Sequence, residues 1–389
     1  MNISFFEDTQ DCSLHPLTLT RPSAHLRVGI MTISGKWIHR LNATSWGFET
    51  SEHLQSKFPA LNTPADLRIW GKVLPTPELF EAVLNLETEQ ALVSDSGELI
   101  AVKSPRITNN PADFSNQIVF EKTFSAVLRP FHIFKLNAQE IALDFEFLTE
   151  GKTSLPLSST NQLIGKHPIF LEEGAKVECC IFNTQEGPVY IGKNAQIMEG
   201  SIIRGPFAMG EGSNVKLGTK IYPGTSIGPY CNIGGELNNV VMQSFSNKGH
   251  DGFLGNAVIG EWCNIGADSN CSNLKNTYEE VKVWNYQSQR FEKSGEQFCG
   301  LIMGDHSKCG INTMFNTGTV VGVGCNIFGA GFPRQFIQDF SWGGAQGIEP
   351  HKLPQFEKTA KLVMQRRKKE YGEEDQKIMQ YVIENYGLK

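Results

Sequence analysis

No run in this chain approaches the roughly 18 to 20 consecutive apolar residues that a membrane-crossing helix requires. Met1–Asp11 is acidic and lacks the basic-then-apolar order of a secretory leader, so a cytoplasmic protein is expected. A basic footprint is also missing. The formal charge is −6, which weighs against a nucleic-acid partner. The nine cysteines are odd in number and contain no CxxC pair. They offer no disulfide framework, and in a reducing compartment such residues act as small buried hydrophobes.

Glycine is abundant, with 38 residues and no collagen period, which signals many tight turns. A repeat explains them. Apolar residues recur every six positions at Ile191, Ile197, Ile203, Met209, Val215, Ile221, Ile227 and Ile233. The series resumes at Phe253, Ile259, Ile265 and Cys271, and again from Met303 to Ile327. Four residues after most of them stands a small residue, such as Ala195, Ser213, Thr219 or Cys231. Neither a helix nor a plain strand has this period. A short strand plus a turn does, and three such steps close a triangular coil of about eighteen residues.

The expected fold is therefore a left-handed parallel β-helix of hexapeptide repeats over residues 165–335, with five or six coils. Gly192, Asn194, Gly224, Gly228 and Asn264 are expected at corners that need positive φ. The phase slips at Ser246–Gly252. A long excursion follows Asn273, and its alternating Val281–Tyr286 and Arg290–Phe291 predict a protruding hairpin within 277–300 that reaches a neighbouring chain. Residues 1–150 read as a small α/β domain, with strands near Ile3–Phe6, Leu67–Trp70, Ala91–Val93, Leu99–Val102 and Ser125–Leu128. A helix is expected near Glu78–Leu86 and a turn at Asp95–Gly97. The tail, 350–389, reads as amphipathic helices. Its run Arg366-Arg367-Lys368-Lys369 is either a solvated face or a contact for phosphate or coenzyme A.

Around the phase slip stand Gly249-His250-Asp251-Gly252-Phe253-Leu254-Gly255, then Asn264-Ile265-Gly266-Ala267, then Asn273. Near the start stands Thr18-Leu19-Thr20-Arg21-Pro22. Together these resemble the GlmU-like family, the bifunctional N-acetylglucosamine-1-phosphate uridylyltransferases / glucosamine-1-phosphate N-acetyltransferases, in its short Bacteroidetes-type branch. The resemblance implies a truncated, nucleotidyltransferase-like α/β domain ahead of an acetyltransferase β-helix with C-terminal helices. It implies His250 as general base, with Asn264, Glu236, Lys220, Arg204 and Lys248 toward the acceptor. Asn273, Thr313 and Asn316 would lie toward acetyl-coenzyme A. Two departures stand out: Phe253 and Leu274 occupy positions that are tyrosine in the family.

The expected acceptor is an amino-sugar phosphate or sugar nucleotide, and the expected assembly is a homotrimer with sites between chains. No metal ligand set is assigned, since His306 and Cys309 lack a convincing second pair. In the first domain Arg21, Arg27 and Lys36 are candidates for a nucleotide phosphate, with Mg²⁺ needed only if that domain is active. No glycine-rich loop precedes Arg21, which argues against nucleotidyl transfer. Three functions follow for test: acyl transfer, sugar-1-phosphate nucleotidylyl transfer, and sugar-nucleotide binding without turnover.

Overall fold

A computed structural model describes residues 1–389. They divide into two compact units. One comprises Met1–Leu14, Thr18–Leu26 and Met31–Arg129; the other comprises His15–Leu17, Arg27–Ile30 and Pro130–Lys389.

The first unit is built on a six-stranded mixed sheet. Its strands are β1 (Asn2–Phe6), β2 (Ser45–Glu49), β3 (Leu67–Trp70), β4 (Gln90–Ser94), β5 (Leu99–Lys103) and β6 (Asn116–Phe120), in the order β2-β1-β3-β5-β4-β6. β1 runs parallel to β2 and β3, whereas β4 and β5 form an antiparallel hairpin turned at Gly97, φ 86°. Helix Pro77–Leu84 starts at Thr76, whose hydroxyl accepts from the Leu79 N–H. Arg68, 2% exposed, is fully spent: it donates to both Glu49 carboxylate oxygens, to the Arg106 and Thr108 carbonyls, and to Asn109. The expected strand at Ser125–Leu128 is absent. Ala126 makes only a single antiparallel bridge to Val73, flanked by the Leu74 N–H donating to the Ser125 carbonyl and the Val127 N–H donating to the Lys72 carbonyl.

The second unit is the left-handed parallel β-helix. Its three faces follow each other along the chain. Rungs at Gln162, Ile181, Ile202, Lys220, Glu236 and Phe253 form the first face. Val189, Phe207 and Thr225 begin rungs of the second. The third is a ten-stranded sheet, nine strands of it parallel and the last, Gly347–Pro350, antiparallel. Its nine parallel rungs exceed the five or six coils expected. The early coils and the shortened ones depart from strict period six, so the hexad count misses them. Inward residues stack coil upon coil, as in Ile203–Ile221–Leu237–Leu254, and each fully buried aliphatic contributes about 1.5–3 kcal/mol.

A second ladder runs beside the stack. Ser213, Cys231, Ser246 and Cys263 succeed one another. The Ser213 hydroxyl accepts from the Cys231 N–H, and the Ser246 hydroxyl accepts from the Cys263 N–H, while each hydroxyl donates to a neighbouring carbonyl. The small residues thus satisfy backbone groups at the corner as well as fitting it.

The corners differ from expectation. Asn194 (φ 55°) and Gly224 (φ 77°) do take positive φ. Gly192 and Gly228 do not; a Cβ there would meet backbone of the next coil, at 1.3 Å from the Gln243 oxygen for Gly228. Asn264 lies in a strand. The left-handed corner between the second and third faces is instead held by Tyr230, Phe245, Trp262 and His306. Their rings stack from coil to coil, with Phe245 and Trp262 at 4.2 Å and 2°. Each such pair adds about 0.5–1.5 kcal/mol, comparable to the cost of positive φ at one residue.

An 18-residue helix, His132–Thr149, covers the second face through Ile141 and Phe145 against Phe170, Tyr190 and Ala208. It was not foreseen, because its buried side also carries Asn137, Glu140 and Asp144, which blurs the apolar period. Those polar groups tie down backbone: Asn137 donates to the Gly224 carbonyl and accepts from the Gly29 N–H, and Asp144 accepts from the Ile30 N–H.

The hairpin forms, with strands Lys282–Asn285 and Arg290–Lys293, but it does not reach outward. It folds back on its own coils. Trp284 stacks on Phe336 at 4.3 Å, and the Tyr286 hydroxyl donates to Asp339 Oδ2 at 2.8 Å. Burial of these two large aromatics against the prism outweighs extension into water. Asp339 is fully buried, and burial pushes its carboxyl up to about 6 in spite of the donors Val323 N–H and Tyr286.

The sign follows directly. The folded value lies above the unfolded one, so the folded state binds the extra proton. The penalty of the buried charge is complete above pH 6 and is relieved as pH falls toward 4. Asp339→Asn is therefore expected to lose a stability gain that the wild type shows between pH 7 and 5. Denaturant melts of both proteins at stepped pH check this; parallel curves would contradict it.

Candidate functional site

The coil that ends at the phase slip is short. Inward residues of the third face lie 18 apart from Val215 to Ile233, yet only 15 apart from Ile233 to Lys248. The missing residues lie ahead of it: Ile233 to Leu237 takes four positions and Leu237 to Met242 five, whereas Lys248 to Leu254 takes the full six. The slip therefore falls at residues 234–241 rather than at Ser246–Gly252, and Gly249–Gly252 is a full-length corner between the third and first faces, laid over a shortened one. Gly234 and Gly235 sit directly beneath it; a Cβ on Gly235 would lie 2.9 Å from the His250 carbonyl oxygen. His250 is exposed at this corner.

On the third-face side, His250 lines a groove of about 800 Å³. The floor is a ladder of asparagines, Asn232, Asn247 and Asn264, with Asn232 donating to Asn247 at 2.7 Å. Phe245 and Trp262 form part of one wall. The helix Leu353–Gln365 and its C-terminal end supply the other through Thr359, Val363, Arg366 and Arg367. The Arg367 guanidinium donates to Asn247 Oδ1 at 2.8 Å. Lys216 and Lys308 also line the groove, and no carboxylate does. Burial pulls Lys308 down to about 8, so it stays mostly cationic at neutral pH.

The expected site residues separate into groups. His250 and Asn264 share the groove. Glu236, Lys220 and Arg204 lie on the first face, where Lys220 pairs with Glu236 at 3.6 Å and Arg204 with Glu186 at 2.9 Å. The Glu236 N–H donates to the Gly252 carbonyl, which brings this pair beside the His250 corner. Asn273 donates to Asn256 at 2.7 Å, and Asn316 is exposed on the same side.

Five expected contacts are not presented to a ligand. Thr313 is buried and its hydroxyl donates to the Gly310 carbonyl, as a corner residue does. Lys248, expected toward the acceptor, points into the prism. Arg27 is held to Gln243 and the Ile30 carbonyl as a structural tie. In the first unit, Arg21 is 3% and Lys36 0% exposed, so neither cation faces solvent. The sequence reading left Arg366 and Arg367 undecided and did not single out Lys216 or Lys308; only the fold gathers residues 216, 308 and 366–367.

The comparisons with known proteins bear on both units. Residues 3–153 match the sugar nucleotidyl transferase family. The bifunctional protein GlmU of Methanocaldococcus jannaschii is 40% identical over 78 residues, 20% of this chain and 18% of that protein. The bifunctional sugar-1-phosphate nucleotidylyltransferase/acetyltransferase of Sulfurisphaera tokodaii is 32% identical over 145 residues, 37% of this chain and 36% of that protein. Over these segments the chain is similar to GlmU-type bifunctional proteins. The matched part spans about a third or less of each curated relative's length.

Among solved structures, the chain is similar to the acyltransferase LpxA of Bacteroides fragilis at 13% identity, covering 59% of this chain and 98% of that one, TM-score 0.21. The N-acyltransferase AntD of Bacillus cereus is similar at 11% identity, covering 52% and 90%, TM-score 0.21.

Four cations without a carboxylate would suit an anion in the groove. Inorganic pyrophosphate is expected to bind there, more weakly as salt rises. The double change Arg366→Ala with Arg367→Ala should weaken it about tenfold or more, since charge-assisted bonds contribute about 1.5–3 kcal/mol each. Calorimetric titration at two salt concentrations checks both; unchanged affinity in the double variant would remove the groove from consideration.

Proposed function

We propose that this protein is an acetyl-coenzyme A-dependent N-acyltransferase acting on an amino-sugar phosphate or sugar nucleotide, with His250 as general base. The observation that carries the reading is the exposed imidazole at the mouth of a cation-lined groove, beside Asn264. The likeness to bifunctional nucleotidylyltransferase/acetyltransferases supports the same class. The expected homotrimer belongs to this reading too, with the largely exposed first face turned toward a neighbouring chain.

The chemistry needs few groups. The acceptor amine attacks the thioester carbonyl, and His250 takes the proton that the amine loses. The C–S bond then breaks, and the leaving thiolate receives a proton, leaving an amide and a free thiol. The groove suits the donor. Its cations Arg366, Arg367, Lys308 and Lys216 match the phosphates of a coenzyme A carrier, and apolar Ile311 and Val363 suit the arm between phosphates and thioester. Asn264 offers an amide to hold either substrate. Glu236 and its neighbours flank the other side of the corner, where an amino sugar would approach His250.

Nucleotidylyl transfer is the second reading, favoured by the family match over residues 3–153. The burial of Arg21 and Lys36, together with the missing glycine-rich loop, leaves that unit poor in phosphate donors.

A thiol-release assay with acetyl-coenzyme A over a panel of amino sugars and their phosphates separates these readings from each other. Pyrophosphate release from nucleoside triphosphate and sugar phosphate is measured alongside. Thiol release is expected, with pyrophosphate release at background. His250→Ala should lower turnover by about 10² to 10⁴, the usual contribution of a positioned base. Its melting temperature should hold, since the residue lies outside the apolar stack. Near-normal turnover in that variant, or its unfolding, would overturn the assignment.

A further inference from the structure

The inward stack of the third face runs Val177, Ile197, Val215, Ile233, then Lys248, then Ile265, Cys309 and Ile327. One charged side chain occupies a row of aliphatic and sulfur groups. Lys248 is 1% exposed and aligned with Ile233. Its ammonium does not face a ligand. It donates to the His250 carbonyl oxygen and to the Asp251 carbonyl oxygen, the latter at 2.8 Å. The Asp268 N–H also donates to the Asp251 carbonyl.

This placement has a mechanical consequence. In the regular coils, carbonyls point along the prism axis to the next coil's N–H. The full-length corner Gly249–Gly252 is laid over the four-residue step from Ile233 to Leu237, and there the His250 and Asp251 carbonyls come within reach of the internal ammonium. A buried carbonyl without a donor is strongly disfavoured; the ammonium supplies a donor to His250 and a second one to Asp251, which also keeps its bond from the Asp268 N–H. With the His250 carbonyl drawn inward, the same residue's Cβ is directed out toward the groove. A methionine or isoleucine at 248 would fill the space equally well and leave the corner free to rearrange.

We infer that Lys248 is a positioning residue, an internal clamp that fixes the His250 corner from inside the prism and holds the imidazole at the groove mouth. The inference rests on the reading of His250 as base for its kinetic part, though not for its structural part.

Lys248→Met tests it. The variant keeps length and apolar stem and removes the charge. The melting temperature should be equal or higher, because an aliphatic rung replaces a buried cation. Turnover should fall about 10- to 100-fold while KM for acetyl-coenzyme A stays within twofold. A side chain that only supports the fold would lower the melting temperature along with turnover.

A second readout does not need activity. The His250 ring Cε1–Hε1 signal in ¹³C-resolved NMR, assigned through His250→Gln, is expected sharp in the wild type and broadened or doubled in Lys248→Met. If His250→Ala is inactive but Lys248→Met keeps wild-type turnover and a single sharp signal, the clamp is refuted while the functional reading stands. If His250→Ala is active, the functional reading fails, and the NMR comparison alone decides the clamp. Loss of the β-helix in both Lys248→Met and Lys248→Leu would make the lysine a folding element and overturn the inference.

Discussion

Everything in the second unit depends on hydrogen bonds from one coil to the next. The Ile202 N–H donates to the Thr219 carbonyl, the Lys220 N–H to the Gly235 carbonyl, and the Glu236 N–H to the Gly252 carbonyl. A coil has no stable form alone, since its backbone groups and its inward apolar surface both need a neighbour. The register this imposes is strict. A residue may be added or removed only at a corner, because a shift within a face would exchange inward and outward side chains. Hence the hairpin excursion and the shortened coil both begin at corners, and the chemistry-bearing groups lie there.

The three faces are not equivalent. The second is closed by His132–Thr149, which brings polar groups to bind corner backbone and apolar groups to cover the sheet. The third is only partly covered. Helix Leu353–Gln365 anchors on one side through Phe356, Ala360 and Met364, and its outer turns stand off from the asparagine ladder. That incomplete closure makes a groove on the outside of the prism. The first face keeps Ile202, Lys220 and Asn270 open to solvent. A rigid prism thus gains a binding surface from one short helix that leans without closing.

Much of this was legible in the sequence, for a physical reason. The inward stack tolerates few residue types, so it writes period six plainly from Ile191 to Ile327. The slip expected at Ser246–Gly252 points to the corner that holds His250, although the residues actually missing fall one corner earlier, at 234–241. What stayed hidden depends on contacts distant along the chain. Arg366 and Arg367 look like any solvated basic run until Asn247 and Lys308 are found opposite them. The helix His132–Thr149 hides because its buried face is partly polar. The aromatic corner at Tyr230, Phe245 and Trp262 hides because large side chains at positive φ run against local preference, and only the ring beneath each one compensates.

Lys248 was legible as a lysine and misread in direction, and the error is instructive. A cation beside a candidate base suggests a ligand contact, because lysine is seldom buried without a carboxylate. Here the counter-groups are the backbone carbonyls of His250 and Asp251. Gly234 and Gly235 below, Lys248 inside and Gly252 above are parts of one solution to a coil that is three residues short. The glycines remove side chains where two strands of backbone nearly touch, and the ammonium donates to the two corner carbonyls within its reach. The departure from the repeat thus begins directly beneath the corner from which His250 projects.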